Sequence, residues 1–504
     1  LWVERVYNGL REDFPAMRPF IMPRSGTSGM QRYSTFPWTG DILRSWGGLA
    51  AQIPALINMS MSGVSYLGSD VGGFTAESTN PELYLRWVEF ATFSPMMRTH
   101  SANNPEPTQA AYRDILPSVR DFINLRYRFL PYTYTLSYLN SSEGLPIARP
   151  ACAFDSDPRK LADCNDAYLW GKELYIAPVI SSSTSRKITF PEGEWVDMND
   201  LSRVYSGGES IIYSADIATL PYFMRRGSFI PMFTQTSGFG STSEINYSDL
   251  TLLHYADTSK EGVSEGLLFE DDRTSASSLD NGDFTLLHFR GESDEHGNYA
   301  VSIEPEIGGS AHFMPETRTL RIRLLGYNGT DTPELSIIDR IPEIEEAFPE
   351  VPEIDPTEGE EISPAEERNL IREAQPAFEL KSNREEVDSH PGHAYCIDDN
   401  GELYMKATAP ADSKVKITFG NISTGIEAFT SDKGVTIEYV AGTLNYSLPA
   451  GSEGCRIEFY SSDGRKIGIS EPLRADGKIH SLQTPEEKGF YIARLKGKSV
   501  KFVR

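Results

Sequence analysis

Asp41 ends the loop Trp38-Thr39-Gly40-Asp41, which follows the short apolar stretch Pro19-Phe20-Ile21-Met22-Pro23 and its closing Arg24. An acid beside an indole in a water-poor pocket has its charged form disfavoured, so it can hold a proton to donate. Arg24 offers a rigid fork of donors to oxygen-rich groups. Two further sets lie downstream: Asp70 in Gly68-Ser69-Asp70-Val71-Gly72-Gly73-Phe74, and the pair in Arg98-Thr99-His100. Carboxylate, guanidinium, imidazole and aromatic plates together suit the hydroxyls and apolar faces of a sugar. Each residue also has a plainer reading. Asp41 could cap a helix from Ile42, Asp70 could brace an Asx-type turn, and Arg98 could make a surface ion pair.

The elements that must position these residues alternate between strand and helix. Residues 19–22 read as a short apolar strand, 63–67 as a second, and 94–97 as a third leading into Arg98. Helical periodicity covers 42–61, with a kink expected at Pro54, then 81–93 with Pro81 in its first turn, and 109–139 with breaks near Pro117 and Pro131. This βαβα order implies a parallel sheet with right-handed crossovers. Three such units are not a closed barrel, which takes eight strands and roughly 200 residues or more. They match the C-terminal part of a (β/α)8 barrel, whose chemistry lies at the C-terminal strand ends.

Beyond residue 157 short β-rich runs alternate with turn clusters, the pattern of β-sandwich domains. The expected division is 1–157 for the barrel part, 158–245 for a proximal β-sandwich, 246–430 for a distal β-domain and 431–504 for a terminal β-sandwich. A chain of 504 residues exceeds one core. The formal charge of −25 argues against a nucleic-acid partner. Eleven carboxylates and five prolines, with no Lys or Arg, fall in 341–367, a solvated acidic excursion. No apolar run is long enough to cross a membrane, and the first residues carry no signal-peptide pattern. Four scattered cysteines give neither a disulfide framework nor zinc spacing. No P-loop, dinucleotide or zinc-protease motif is present. Gly262-Val263-Ser264-Glu265-Gly266 lacks the strand-to-helix setting of a nucleophile elbow and fits a polar turn.

The string Arg18-Pro19-Phe20 through Arg24-Ser25, followed by Trp38-Thr39-Gly40-Asp41, resembles the acid/base region of glycoside hydrolase family 31. The resemblance extends over about residues 1–328. It includes Leu169-Trp170-Gly171-Lys172-Glu173-Leu174 and Pro221-Tyr222-Phe223-Met224-Arg225-Arg226-Gly227. It implies a retaining α-glycosidase, most simply an α-glucosidase acting on gluco-oligosaccharides. Asp41 would be the general acid/base, and Arg24, Trp38, Asp70, Phe74, Arg98 and His100 the sugar-binding shell. No metal or organic cofactor is implied, since two carboxylates carry the reaction. Gln31-Arg32-Tyr33 and Arg44-Ser45-Trp46-Gly47-Gly48-Leu49 are similar to members that transfer α-glucosyl units.

The family's nucleophile, an aspartate two residues after a tryptophan, should precede the acid/base. Trp195-Val196-Asp197-Met198-Asn199 imitates it far downstream, inside Phe190-Pro191-Glu192-Gly193-Glu194-Trp195, which resembles the family's first β-domain. Asp197 is therefore set aside. The nucleophile is expected in a missing N-terminal half of the barrel, and the chain alone is expected to be inactive. A non-catalytic carbohydrate-binding or surface remnant is the rival reading. Residues 434–504 resemble C-terminal sorting domains of the type IX secretion route, through Phe459-Tyr460-Ser461-Ser462-Asp463-Gly464 and Gly489-Phe490-Tyr491-Ile492-Ala493. A secreted, periplasmic or cell-surface location would follow.

Overall fold

The computed structural model describes residues 1–75, 80–102, 110–235, 241–259, 262–327, 332–338, 378–398 and 402–421, then the stretches 436–440, 443–447, 456–461, 466–469, 479–482, 490–495 and 498–503. The acidic excursion 341–367 lies outside the described residues. So do Cys455 and parts of the sorting-domain strings. The chain divides into two compact units, Leu1–Leu201 with Tyr205–Gly425, and Ser202–Val204 with Ile426–Arg504.

The first elements are helix α1 (Trp2–Asp13), α2 (Trp46–Ala50), α3 (Gln52–Met61), strand β1 (Gly68–Val71), α4 (Pro81–Thr92), strand β2 (Met96–Thr99), α5 (Leu116–Arg128) and α6 (Leu130–Glu143). β1 and β2 pair in parallel, with α4 as their crossover. Two single bridges continue the parallel order outward: Trp38 with Gly68, and Ile21 with Thr35. The stretch 19–22 is thus one bridge and not a strand. Pro19 and Pro23 on either side have no N–H to extend a ladder. The strand expected at 63–67 lies instead at Gly68–Val71, where both neighbours are present to pair with it. Asp70 and Arg98 therefore sit within strands, not after them.

Local chemistry sets the helix bounds. Ser45 caps α2 by accepting from the Gly48 amide at 3.0 Å. The kink expected at Pro54 falls at Ala51, because a proline ring clashes with the carbonyl four residues earlier, here that of Ala50. Pro54 itself is tolerated in the first turn of α3. Asn80 caps α4 by accepting from the Leu83 amide, with Pro81 at its start. Pro117 and Pro131 each lie in a first turn, of α5 and α6, as the sequence requires.

Alternation sorts the side chains of β1 between layers. Ser69 faces the helices, where its Oγ accepts from Trp87 Nε1 on α4 at 3.0 Å. Asp70 faces the other way. Arg126 on α5 holds the path from α4 into β2, donating to the carbonyls of Ala91, Thr92, Ser94 and Pro95. Burial lowers its pKa to about 10, still above neutral pH, so it remains charged.

After the barrel part, five strands lie side by side in the order Ala148–Pro150, Tyr168–Trp170, Leu174–Ile176, Tyr222–Arg225, Glu194–Asp197, each antiparallel to the next. The pair Ser185–Thr189 and Ser210–Ser214 covers them, placing Ile188 and Tyr213 in one core with Tyr175, Trp195 and Phe223. An eleven-stranded sheet follows, in which Ser228–Phe233 pairs with Asp249–Tyr255. It curls on itself: Leu335 near one end and Tyr395 near the other share a core. Ser264 is buried within the strand Val263–Glu270 and not in an exposed turn, and Tyr299 OH donates to it at 3.1 Å. In the second unit, Thr436–Val440, Thr443–Ser447 and Ile479–Leu482 form one antiparallel sheet. Lys466–Ile469, Glu458–Ser461, Phe490–Leu495 and Lys498–Val503 form another.

One buried ion pair joins the barrel part to the strands after it. Arg86 and Glu89 on α4 are fully buried 3.0 Å apart, and Arg86 also donates to the carbonyls of Ala215 and Thr219. Burial pushes the Glu89 carboxyl up to about 8, against the pull of Arg86. Above about pH 8, where the Glu89 carboxyl is ionised, Glu89→Ala leaves Arg86 buried without its counter-charge. Urea unfolding should show a loss of about 3–5 kcal/mol; a loss below about 1 kcal/mol would show that water reaches the pair.

Candidate active site

Parallel register brings the candidate residues together. Asp70 on β1 is the partner of Arg98 on β2, and Trp38 is bridged to Gly68 one strand over. Residues two apart on a strand share a face, so Trp38, Asp70 and Arg98 all project to the side opposite α4. Arg98 Nη2 donates to Asp70 Oδ1. The Arg98 guanidinium also lies over the Trp38 ring, 5.3 Å from its centroid. Phe74 and His100, just past the two strands, face each other with ring centroids 5.2 Å apart. On the neighbouring loop Arg24 Nη1 donates to Asp41 Oδ1 at 2.9 Å.

The arrangement leaves hydrogen-bonding capacity unused. Among the described residues, Trp38 Nε1, Asp70 Oδ2 and Arg98 Nε are buried atoms with no hydrogen-bond partner. Buried polar atoms are seldom left so, and here one acceptor and two donors cluster on one face. Hydroxyl groups, which both donate and accept, fit such a set.

Asp70 is fully buried. Burial raises its pKa above the ordinary aspartate value, and the hydrogen bond and charge of Arg98 offset this only in part. Asp41 differs from expectation. Its side chain is 41% exposed and ion-paired to a still more exposed Arg24, so it does not sit in a water-poor pocket here. Asp197 is fully buried in a sheet, accepting from Tyr213 OH and the Asn199 amide. Among the described residues no cluster of His, Cys, Asp or Glu could hold a metal ion. None of their helices is long and apolar enough to cross a membrane.

Residues 1–136 match the TIM-barrel domain of glycosyl hydrolases family 31, and residues 144–230 match that family's C-terminal domain. Two stretches of the chain thus resemble family 31 domains. The α-glucosidase 2 of Bacillus thermoamyloliquefaciens is 33% identical over 305 residues, covering 59% of this chain and 37% of that protein. An α-xylosidase of Saccharolobus solfataricus is 34% identical over 235 residues, covering 45% and 32%. The solved family 31 dextranase of Flavobacterium johnsoniae shares the fold, with a TM-score of 0.68 at 20% identity over 83% of this chain and 48% of that one. The chain spans about a third of the length of the curated relatives it matches. The stretch 1–136 that matches the TIM-barrel domain holds Arg24, Trp38, Asp41, Asp70, Phe74, Arg98 and His100. Sequence reasoning missed the strand-like pairing of Trp38 with Gly68. A tryptophan between a proline and a glycine-bearing turn gave little strand signal.

The raised pKa of Asp70 has a measurable sign. Between the ordinary value of 3.8 and the raised one, the folded chain binds more protons than the unfolded chain. Stability from neutral Asp70 is therefore complete below pH 3.8 and is lost as pH rises through the raised value. Asp70→Asn removes this dependence. The wild-type unfolding free energy, relative to the variant's, should fall as pH rises from about 4; a relative gain would mean that pairing with Arg98 outweighs burial.

Proposed function

We propose that this chain is part of a retaining α-glycosidase, acting on α-linked gluco-oligosaccharides. The observation that carries the reading is the register-locked Asp70–Arg98 pair beneath Trp38, with three buried polar atoms unused, beside Asp41. Asp70, Arg98 and Trp38 hold the hydroxyls of the terminal sugar, and Phe74 and His100 wall it. Asp41 gives a proton to the leaving glycosidic oxygen, which frees the alcohol as a second carboxylate attacks the anomeric carbon. Asp41, now ionised, then takes a proton from the water that releases the sugar. Arg24 holds the ionised form between the two steps.

The second carboxylate is supplied by the remaining part of the barrel, held about 5–5.5 Å from Asp41. An uncovered apolar surface supports this: Leu1, Trp2, Phe14, Met17 and Phe20 are 55–85% exposed, and α1 buries none of its residues. Soluble proteins seldom leave such a face bare. The β-sandwich reading of 158–245 and 431–504 belongs to the same proposal, as does export by a type IX sorting domain at 434–504.

In the complete protein, Asp41→Asn should lower maltose hydrolysis by roughly 10²–10⁴-fold, measured as glucose release. Unchanged hydrolysis would remove Asp41 from its role, and a wild type without activity would favour a carbohydrate-binding remnant. The transfer-type motif around Arg44-Ser45-Trp46 keeps transglucosylation as a second reading. Products from maltotriose decide it: longer oligosaccharides without free glucose would replace hydrolysis by transfer.

A further inference from the structure

The loop carrying Asp41 and the turn following Asp70 are bonded directly to each other. The Ile42 carbonyl accepts from the amides of Phe74 at 2.8 Å and Thr75 at 3.3 Å, and the Arg44 amide donates to the Thr75 carbonyl at 3.0 Å. The Ala102 amide donates to the Phe74 carbonyl at 3.0 Å, which ties in the segment after Arg98 and His100. A few backbone bonds between irregular loops leave room for sliding. The side chain of Arg44 takes that room away.

Arg44 is 9% exposed. Its Nε donates to the Gly72 carbonyl at 2.8 Å and its Nη2 to the Gly73 carbonyl at 3.2 Å. Both glycines have left-handed φ values, +94° and +82°, and the Gly73 amide closes the turn on the Asp70 carbonyl at 2.9 Å. Neither has room for a side chain. A Cβ on Gly73 would lie 2.5 Å from Arg44 Cα, and one on Gly72 would lie 2.5 Å from the Tyr84 ring. The turn is pressed between the Tyr84 ring and the Arg44 backbone while the guanidinium grips its two carbonyls. Charge-assisted bonds from a planar fork fix direction as well as distance.

We infer that Arg44 is a positioning residue that locks the Asp41 loop onto the Asp70 turn. It sets where the proton donor stands relative to the sugar held by Asp70 and Arg98. The inference rests on the glycosidase reading above. Arg44 does not meet the sugar, since it is buried and two of its donors are spent on backbone carbonyls. Its effect passes through Asp41, and misplacement by about 1 Å costs proton transfer on the order of 100-fold.

Arg44→Met and Arg44→Lys, made in the complete protein, separate this role from plain stability. In Arg44→Met, amide exchange in 40–45 and 70–75 should quicken together, with exchange in the strands Tyr168–Trp170 and Leu174–Ile176 unchanged. Hydrolysis of maltose, a poor leaving group, should fall roughly 10–100-fold in kcat/KM. For 2,4-dinitrophenyl α-glucoside, whose phenolate leaves without a proton, kcat/KM should barely change, because the later base-assisted water step does not enter it. Arg44→Lys keeps the charge but not the fork, and should fall between. Equal loss on both substrates, or unchanged exchange in the two loops, overturns the inference. If the wild type cleaves neither substrate, the glycosidase reading falls and the catalytic role falls with it, while exchange still decides whether Arg44 holds the loops.

Discussion

The parallel pairing of Gly68–Val71 with Met96–Thr99 is the constraint on which the site depends. Parallel strands need a crossover, and α4 supplies it while burying Trp87 against Ser69. The pairing admits one register. In it Asp70 faces Arg98, and both project away from the helix layer. A slip by one residue would turn Asp70 into the apolar packing against α4 and bring Ser69 to the site. The ion pair, the stacking of Arg98 on Trp38 and the unused polar atoms all follow from this ladder.

Asp70 and Asp41 sit in opposite surroundings. Asp70 is fully buried and its guanidinium partner is three-quarters covered, with side-chain exposures of 0% and 26%. Burial raises its pKa even so. A buried pair of this kind contributes little stability for its desolvation cost. Asp41 and Arg24 are exposed, at 41% and 61%. Water screens that pair, and what it does chemically depends on the surface that covers it.

The β-rich domains matter to the site through their anchoring. Arg86 ties α4 to the carbonyls of Ala215 and Thr219. Arg18 binds Asp271 on the loop after Val263–Glu270 and Ser278 at the start of the short helix Ser278–Asn281, and Tyr134 of α6 donates to the same Asp271. The segment that leads to Arg24 is thus fastened to the eleven-stranded sheet. A rigid platform of this sort lets loops carry reactive groups without losing their geometry.

Much of this was legible in the residues. The βαβα order, the helix start at Pro81, the breaks near Pro117 and Pro131, and the candidate set Asp41, Asp70, Arg98 and His100 follow from local propensity, capping chemistry and motif. Those are short-range properties, and a sequence carries them without help. Three things required the tertiary structure. The strand bounds at Gly68 and Met96 depend on which distant segment is available to pair, so residues 63–67 look like a strand and are not one. The exposure of Asp41 depends on what packs above it, and no local pattern encodes that. The grip of Arg44 on Gly72 and Gly73 joins segments remote in sequence through geometry that only the fold creates. The sequence determined which chemistry the chain can hold; the parallel register and the packing decided which atoms meet, because both depend on partners far along the chain.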